Sequence, residues 1–335
     1  MHTEMLFVHR STKLKLISLF LLLLSPLHAG ENGSSLSPGT RVVMDAHNCY
    51  PYDGRWADRI DRALMNGTPL AIEQDLLWYT DKRTGKSWSV VSHGVRATGN
   101  EPTMRKYFLE RIRPIMENAL RDGNRADWPL ITLNLDFKSD EAAHHAAILQ
   151  LLKEYEEWIC TAERGADAGR VMPISVKPLL VLTGEADSQE RDFHEAIPLG
   201  EKLVVFGAVH VHGKKPMAAP EVLVPGKATN YRRWWNNSWD VVEKGGQRKS
   251  GVWSEEDAAR VQQLVKHAHE RGLWIRFYTL DGLPDPDMRK NGWDKDYNFG
   301  SKDKVLQRWK ASIDAGVDFV ATDQYEDLAD RKSVV

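Results

Sequence analysis

Four residues with the types and spacing for chemistry lie between positions 47 and 93. The segments DAHNCYP, LAIEQDLLW and WSVVSHG place His47, Glu73, Asp75 and His93 at the ends of apolar, strand-like runs. Glu73 and Asp75 are two apart in an extended segment, so their side chains point the same way. Adjacent carboxylates repel and raise each other's pKa unless a cation sits between them. A hard divalent ion with oxygen ligands, Mg2+ or Ca2+, suits such a pair. Two imidazoles beside it would supply an acid and a base near neutral pH. The chemistry suggested is metal-assisted hydrolysis.

Such groups need a frame that brings them together. Apolar runs alternate with helical periodicity along nearly the whole chain, the pattern of parallel βα units. Strands are expected at 41–47, 70–78, 130–137, 177–183, 202–209, 273–280 and 317–323, with an eighth near 228–232. Helices are expected at 55–66, 103–122, 141–159, 254–271 and 303–315. Ser254 followed by acidic residues is an N-cap signal. Eight such units predict a single (β/α)8 barrel, the α/β class of fold that spans ~250 residues. An open doubly wound sheet would need a glycine-rich fingerprint after its first strand, and none is present.

In a barrel, functional groups gather at the C-terminal ends of the strands. His47 falls at the end of strand one, Glu73 and Asp75 on strand two, and Asp136 and Lys138 on strand three. Arg276 and Tyr278 share one face late in strand seven, and Asp323 ends strand eight. Buried acids and lysines on strands are costly unless they pair or hold an ion.

The chain has 335 residues and a net charge of −2, from 45 basic and 47 acidic side chains, so no basic excess recruits nucleic acid or a lipid surface. At most a peripheral membrane contact is expected. Lys13 and Lys15 precede LISLFLLLLSPL, and Leu27-His28-Ala29 is a small-residue cleavage site. This reads as a signal peptide (1–29) of an exported protein, periplasmic or secreted, with an uncleaved anchor as the alternative. Residues 30–40 read as a flexible lead-in and 41–330 as the barrel. Cys49 follows strand one and Cys160 closes a helix over about 141–160, so the two would lie at opposite faces and are read as free or buried thiols. Several of the 12 tryptophans cluster in YRRWWNNSW, which suggests either an aromatic cleft or core packing.

At these residues the chain resembles the PLC-like phosphodiesterase superfamily of TIM barrels, which includes glycerophosphodiester phosphodiesterases and spider-venom-type phospholipases D. The resemblance rests on His47-Asn48, Glu73-x-Asp75, His93, Asp136 with Lys138 in LNLDFK, and the closing GVDFVATD. It implies Asp136 as a third metal ligand, His47 and His93 as catalytic acid and base, and a phosphodiester substrate of glycerophosphodiester or phospholipid type. It also implies attack by a substrate hydroxyl, giving a cyclic phosphate. The chain departs from the glycerophosphodiesterase pattern at Asn48, where Arg is usual, and at Asp136, where Glu is usual. The AHNCYP form is similar to the mitochondrial-inheritance-like branch, whose motif is His-Asn-Asp-Tyr.

Other readings compete. Glu73 and Asp75 could form plain salt bridges with Lys138 or Arg276. A glycoside hydrolase-like barrel would use Glu73 and Asp136 as acid and nucleophile, and a non-catalytic protein could bind ligands in an aromatic cleft. Lys138 is a point charge suited to phosphate, and Arg276 and Tyr278 are further substrate-binding candidates. Trp78, Tyr231 and Trp239 could shape the substrate wall or simply pack. His210 and His212 form an HxH pair read as a solvated loop rather than a zinc site. His144, His145, His267 and His269 are expected on helix surfaces.

Overall fold

The computed structural model describes residues 36–51, 56–94, 97–212, 216–278 and 280–332, which belong to one compact unit. The expected leader lies outside the described residues. No helix among them is long and apolar enough to cross a membrane.

Eight parallel strands close into a barrel: β1 (Val43–Ala46), β2 (Leu70–Thr80), β3 (Ile131–Phe137), β4 (Leu179–Thr183), β5 (Phe206–Ala208), β6 (Arg232–Asn237), β7 (Trp274–Phe277) and β8 (Phe319–Thr322). Each pairs with the next, and β8 returns to β1. The chain thus adopts a (β/α)8 TIM barrel. Its main outer helices are α1 (Arg59–Met65), α2 (Glu110–Asp122), α3 (Ala142–Lys153), α6 (Glu255–Glu270) and α8 (Lys302–Ala315). Two single-turn helices, α4 (Asp187–Glu190) and α5 (Pro220–Leu223), and the rim helix α7 (Asp285–Lys290) complete the circuit with α9 (Tyr325–Lys332). Ser254 caps α6 in a reciprocal capping box with Asp257.

The strand period of two sorts the residues into an inner and an outer set. Leu70, Ile72, Leu133, Val181, Ile275 and Val320 pack in the layer that includes the helices' apolar faces. Val43, Ala71, Leu180, Phe206, Trp234, Trp274 and Phe319 form the inner cluster. These bulky groups plug the N-terminal half of the barrel, and burying each large side chain contributes roughly 1.5–3 kcal/mol. Two residues further along the same faces come Asp45, Glu73 and Arg276. The open end of the barrel is therefore polar because the same inward face continues beyond its apolar plug.

Four elements differ from expectation. Strand six lies at Arg232–Asn237 rather than 228–232, because Trp234 and Trp235 are both buried on opposite faces and leave no alternation to read. The run 202–209 divides: Lys202–Leu203 joins a small outer sheet with Thr161–Glu163, and only Phe206–Ala208 enters the barrel. The helix expected to reach Cys160 ends at Lys153, after which the chain turns so that the Cys160 amide bonds Leu179 O. Leu36, expected in a flexible lead-in, is buried in the inner cluster, where its carbonyl accepts from Trp274 Nε1 at 2.7 Å. Both cysteines are free and buried, as expected.

Candidate active site

The cleft at the C-terminal end of the strands encloses about 200 Å3 and is lined by His47, Glu73, Asp75, His93, Asp136, Lys138, Arg276 and Tyr278. These eight residues, scattered in sequence, therefore face one space. Register explains the gathering: Asp75 pairs with Asp136 and Glu73 with Asn134 across β2 and β3. His47 follows β1, its amide bonded to Thr322 O and its carbonyl to the Tyr325 hydroxyl.

His93 arrives by a different route. β2 runs past the barrel and folds back through an antiparallel strand, Ser87–Val91. Asp81 ties the turn by accepting from the amides of Arg83 and Thr84. The returning chain then bonds Ser92 N to Asp75 O at 2.9 Å, which sets His93 at the mouth of the cleft near Tyr50.

Glu73, Asp75 and Asp136 offer carboxylate oxygens within 4.8 Å of one another. Ligands on opposite sides of a Ca2+ ion bound at ~2.4 Å lie ~4.8 Å apart, so the three oxygens fall within the span of one such coordination sphere, and Mg2+, bound at ~2.0–2.1 Å, would draw them closer. Asp75 Oδ2 is buried without a hydrogen bond, although the Lys138 ammonium lies 3.2 Å away. Burial, then repulsion from Asp136 and Glu73, pushes the Asp75 pKa well above its ordinary value. An all-oxygen set of three clustered acids, two of them buried, fits a hard divalent cation.

The neighbours divide the remaining charge. Burial opposes ionisation of Glu73, but His47 and Arg276 outweigh it and hold the carboxyl down at about 2. Glu73 Oε2 lies 3.3 Å from His47 Nε2, and Oε1 lies 3.4 Å from the Arg276 guanidinium. Arg276 is almost wholly buried, paired with Asp45 and bonded to Asn236 Oδ1 at 3.1 Å. Burial likewise disfavours a charged His47, yet Glu73 and Asp323 raise its pKa to about 9. At the mouth, desolvation and the Lys138 ammonium lower His93. Lys138 Nζ contacts Asp136 at 2.7 Å, and the acids raise its pKa against the cost of burial.

Asn48, which differs from the glycerophosphodiesterase pattern, is a hub. Its φ of 51° is the left-handed conformation that asparagine tolerates better than most residues. That turn aims its amide at Glu73 Oε2 (3.1 Å) and its Nδ2 at the two Asp323 oxygens (3.2 Å each), and sets Nδ2 2.8 Å from the His47 Nδ1 that also faces Asp323. Its Oδ1 accepts from the Tyr50 hydroxyl at 2.7 Å.

Sequence reasoning missed Asn134, Asn236 and Tyr297, which also line the cleft. Asn134 could have been found, since it shares the face of Asp136 two residues away. Tyr297 ends a single 3-10 turn (Lys295–Tyr297) too short to give a periodic signal, and it meets His47 edge-on at 6.1 Å between centroids. Of the four candidate wall aromatics only Tyr278 lines the cleft; Tyr231 and Trp239 are buried in the core, and Trp78 stacks on His144 at 5.4 Å. The Trp-rich segment is thus largely packing. Three helix histidines expected at the surface are buried instead: His144 bonds Ser89, His145 bonds Asp192, and His267 bonds the Val224 carbonyl. Polar partners on neighbouring elements make this burial tolerable. His210 is an exposed loop residue paired with Asp187 at 3.0 Å.

No family profile and no curated protein match the chain in sequence. Among solved structures it is similar to a glycerophosphodiester phosphodiesterase from Parabacteroides distasonis ATCC 8503, at 14% identity and a TM-score of 0.45 over 88% of this chain and 97% of that one. A glycerophosphoryl diester phosphodiesterase from the same organism is similar at 14% identity and a TM-score of 0.39, over 88% and 86% of the two chains. The Plasmodium falciparum HPPK-DHPS triple mutant is similar at 8% identity and a TM-score of 0.41, over 89% of this chain and 48% of that one. At these scores the likenesses bear on neither activity nor substrate.

Proposed function

We propose that the chain is a metal-dependent phosphoric diester hydrolase of the PLC-like kind, acting on a small glycerophosphodiester or a phospholipid-type headgroup. The observation that carries this reading is the meeting of three carboxylates, Glu73, Asp75 and Asp136, with two histidines in one cleft. The carboxylates would hold Mg2+ or Ca2+, which when bound supplies Lewis-acid stabilisation of charge on phosphate oxygens. Lys138 would orient the phosphate as a point charge. Of His47 and His93, one takes the proton from the attacking hydroxyl and the other gives a proton to the leaving oxygen. A hydroxyl of the substrate itself would serve as nucleophile, releasing a cyclic phosphate. The roles of Arg276 and Tyr278 divide: Arg276, spent on Asp45, Glu73 and Asn236, orders the carboxylates, and Tyr278 borders the substrate space. The leader at 1–29 would export the protein.

His47→Ala and His93→Ala test the assignment. Each should lower turnover of a phosphodiester by about a hundredfold or more, the scale of lost general acid or base catalysis. Divalent-metal binding, followed by calorimetry, should persist in both. Near-normal turnover in either variant would remove that histidine from the mechanism.

A further inference from the structure

Arg59, the first residue of α1, is 1% exposed. None of its hydrogen bonds among the described residues goes to a carboxylate. A buried guanidinium is costly unless its donors are satisfied, and here they are shared among backbone carbonyls. Its Nη1 donates to Asn48 O at 2.7 Å, on the loop after β1. Its Nη2 donates to Asn291 O and Gly292 O, each at 3.3 Å, on the loop after β7. The Trp56 ring covers the guanidinium at 5.4 Å and also seals against Gly292, where a Cβ would come within 2.3 Å of the indole. One cation thus ties together two rim loops that are distant in sequence.

Both loops lead to the site. Asn48 contacts His47, Glu73 and Asp323. Tyr297, five residues beyond Gly292, stands edge-on to the His47 ring. We propose that Arg59 is a positioning residue that clamps the β1 and β7 loops and so sets the orientation of His47, through Asn48 on one side and Tyr297 on the other. The catalytic consequence rests on the hydrolase reading above; the clamp itself does not.

Arg59→Lys in the full chain tests this, because an ammonium keeps the charge but lacks the planar fork that reaches three carbonyls. Amide hydrogen exchange should quicken by about tenfold or more at 48–51 and 285–297 together, with β2 to β4 unchanged. Turnover number should fall by about tenfold to a hundredfold, the cost of a small misplacement, while KM stays within about twofold. In Arg59→Ala, added guanidinium ion should restore part of both loop protection and turnover. The proposal is overturned if both loops keep wild-type exchange in Arg59→Lys, or if only α1 loosens. It is equally overturned if the loops loosen without loss of turnover, or if cooperative melting disappears, since Arg59 would then be a residue of general stability. Should the wild type cleave no phosphodiester, the hydrolase reading fails and the exchange measurements alone decide the clamp.

Discussion

At the scale of single residues, buried polar groups are explained by their partners. His144 is the clearest case outside the cleft. Its Nε2 meets Ser89 Oγ at 2.8 Å and its Nδ1 faces Ser139 O at 3.3 Å, with Phe137 and Trp78 packed around the ring. Desolvation lowers its pKa from 6.5 to about 4, so the folded protein keeps the ring neutral where the unfolded chain would protonate it. The stabilisation this represents is complete above pH 6.5 and is lost as pH falls through about 4, by up to about 3 kcal/mol. Denaturant titrations should therefore show a shallower acid-side loss for His144→Gln than for wild type between pH 6.5 and 4. Equal slopes would contradict a neutral buried ring. The same scale shows what sequence conceals: a histidine on a helix carries no mark of whether its face meets solvent or the neighbouring hairpin. Asn48 is similar, since its role depends on a left-handed backbone that one residue letter does not encode.

At the scale of elements, the hairpin after β2 is the device that delivers His93. Gly99 secures it. With φ at 84°, a Cβ there would lie 2.4 Å from the Tyr79 ring and 2.9 Å from that of Trp88, so only glycine lets the chain pass under this aromatic pair. Gly99→Ala should cost about 1–2 kcal/mol through the positive φ and the crowding. Hydrogen exchange should rise in 87–91 while β3 and β4 keep their protection, and turnover should drop with His93 displaced. Unchanged exchange in that strand would show that the hairpin does not depend on Gly99. Strand ends were legible because apolar runs stop where polar residues begin, as in LNLDFK. Strand six was displaced by several residues because consecutive buried Arg and Trp pairs erase the period of two.

At the scale of the whole molecule, the barrel was legible because eight βα units leave few other closures, and the rule for strand C-termini turned scattered acids into neighbours. His47, Glu73, Asp75, His93, Asp136, Lys138, Arg276 and Tyr278 converge because each occupies an inward position near a strand end or is carried there by the hairpin. Tyr297 and the Arg59 clamp were not legible, since loop-to-loop contacts depend on how the rim closes rather than on local pattern. The central claim is that the carboxylate trio holds a divalent cation for phosphodiester cleavage. Phosphorus NMR of the full chain with a panel of glycerophosphodiesters and lysophospholipid headgroups tests it most directly. With Mg2+ or Ca2+, a new cyclic-phosphate or phosphomonoester resonance should grow, and it should be absent with EDTA and in Asp75→Asn. Cleavage that proceeds at the same rate in EDTA, or metal-supplied protein that cleaves no diester while hydrolysing a glycoside, would contradict the account.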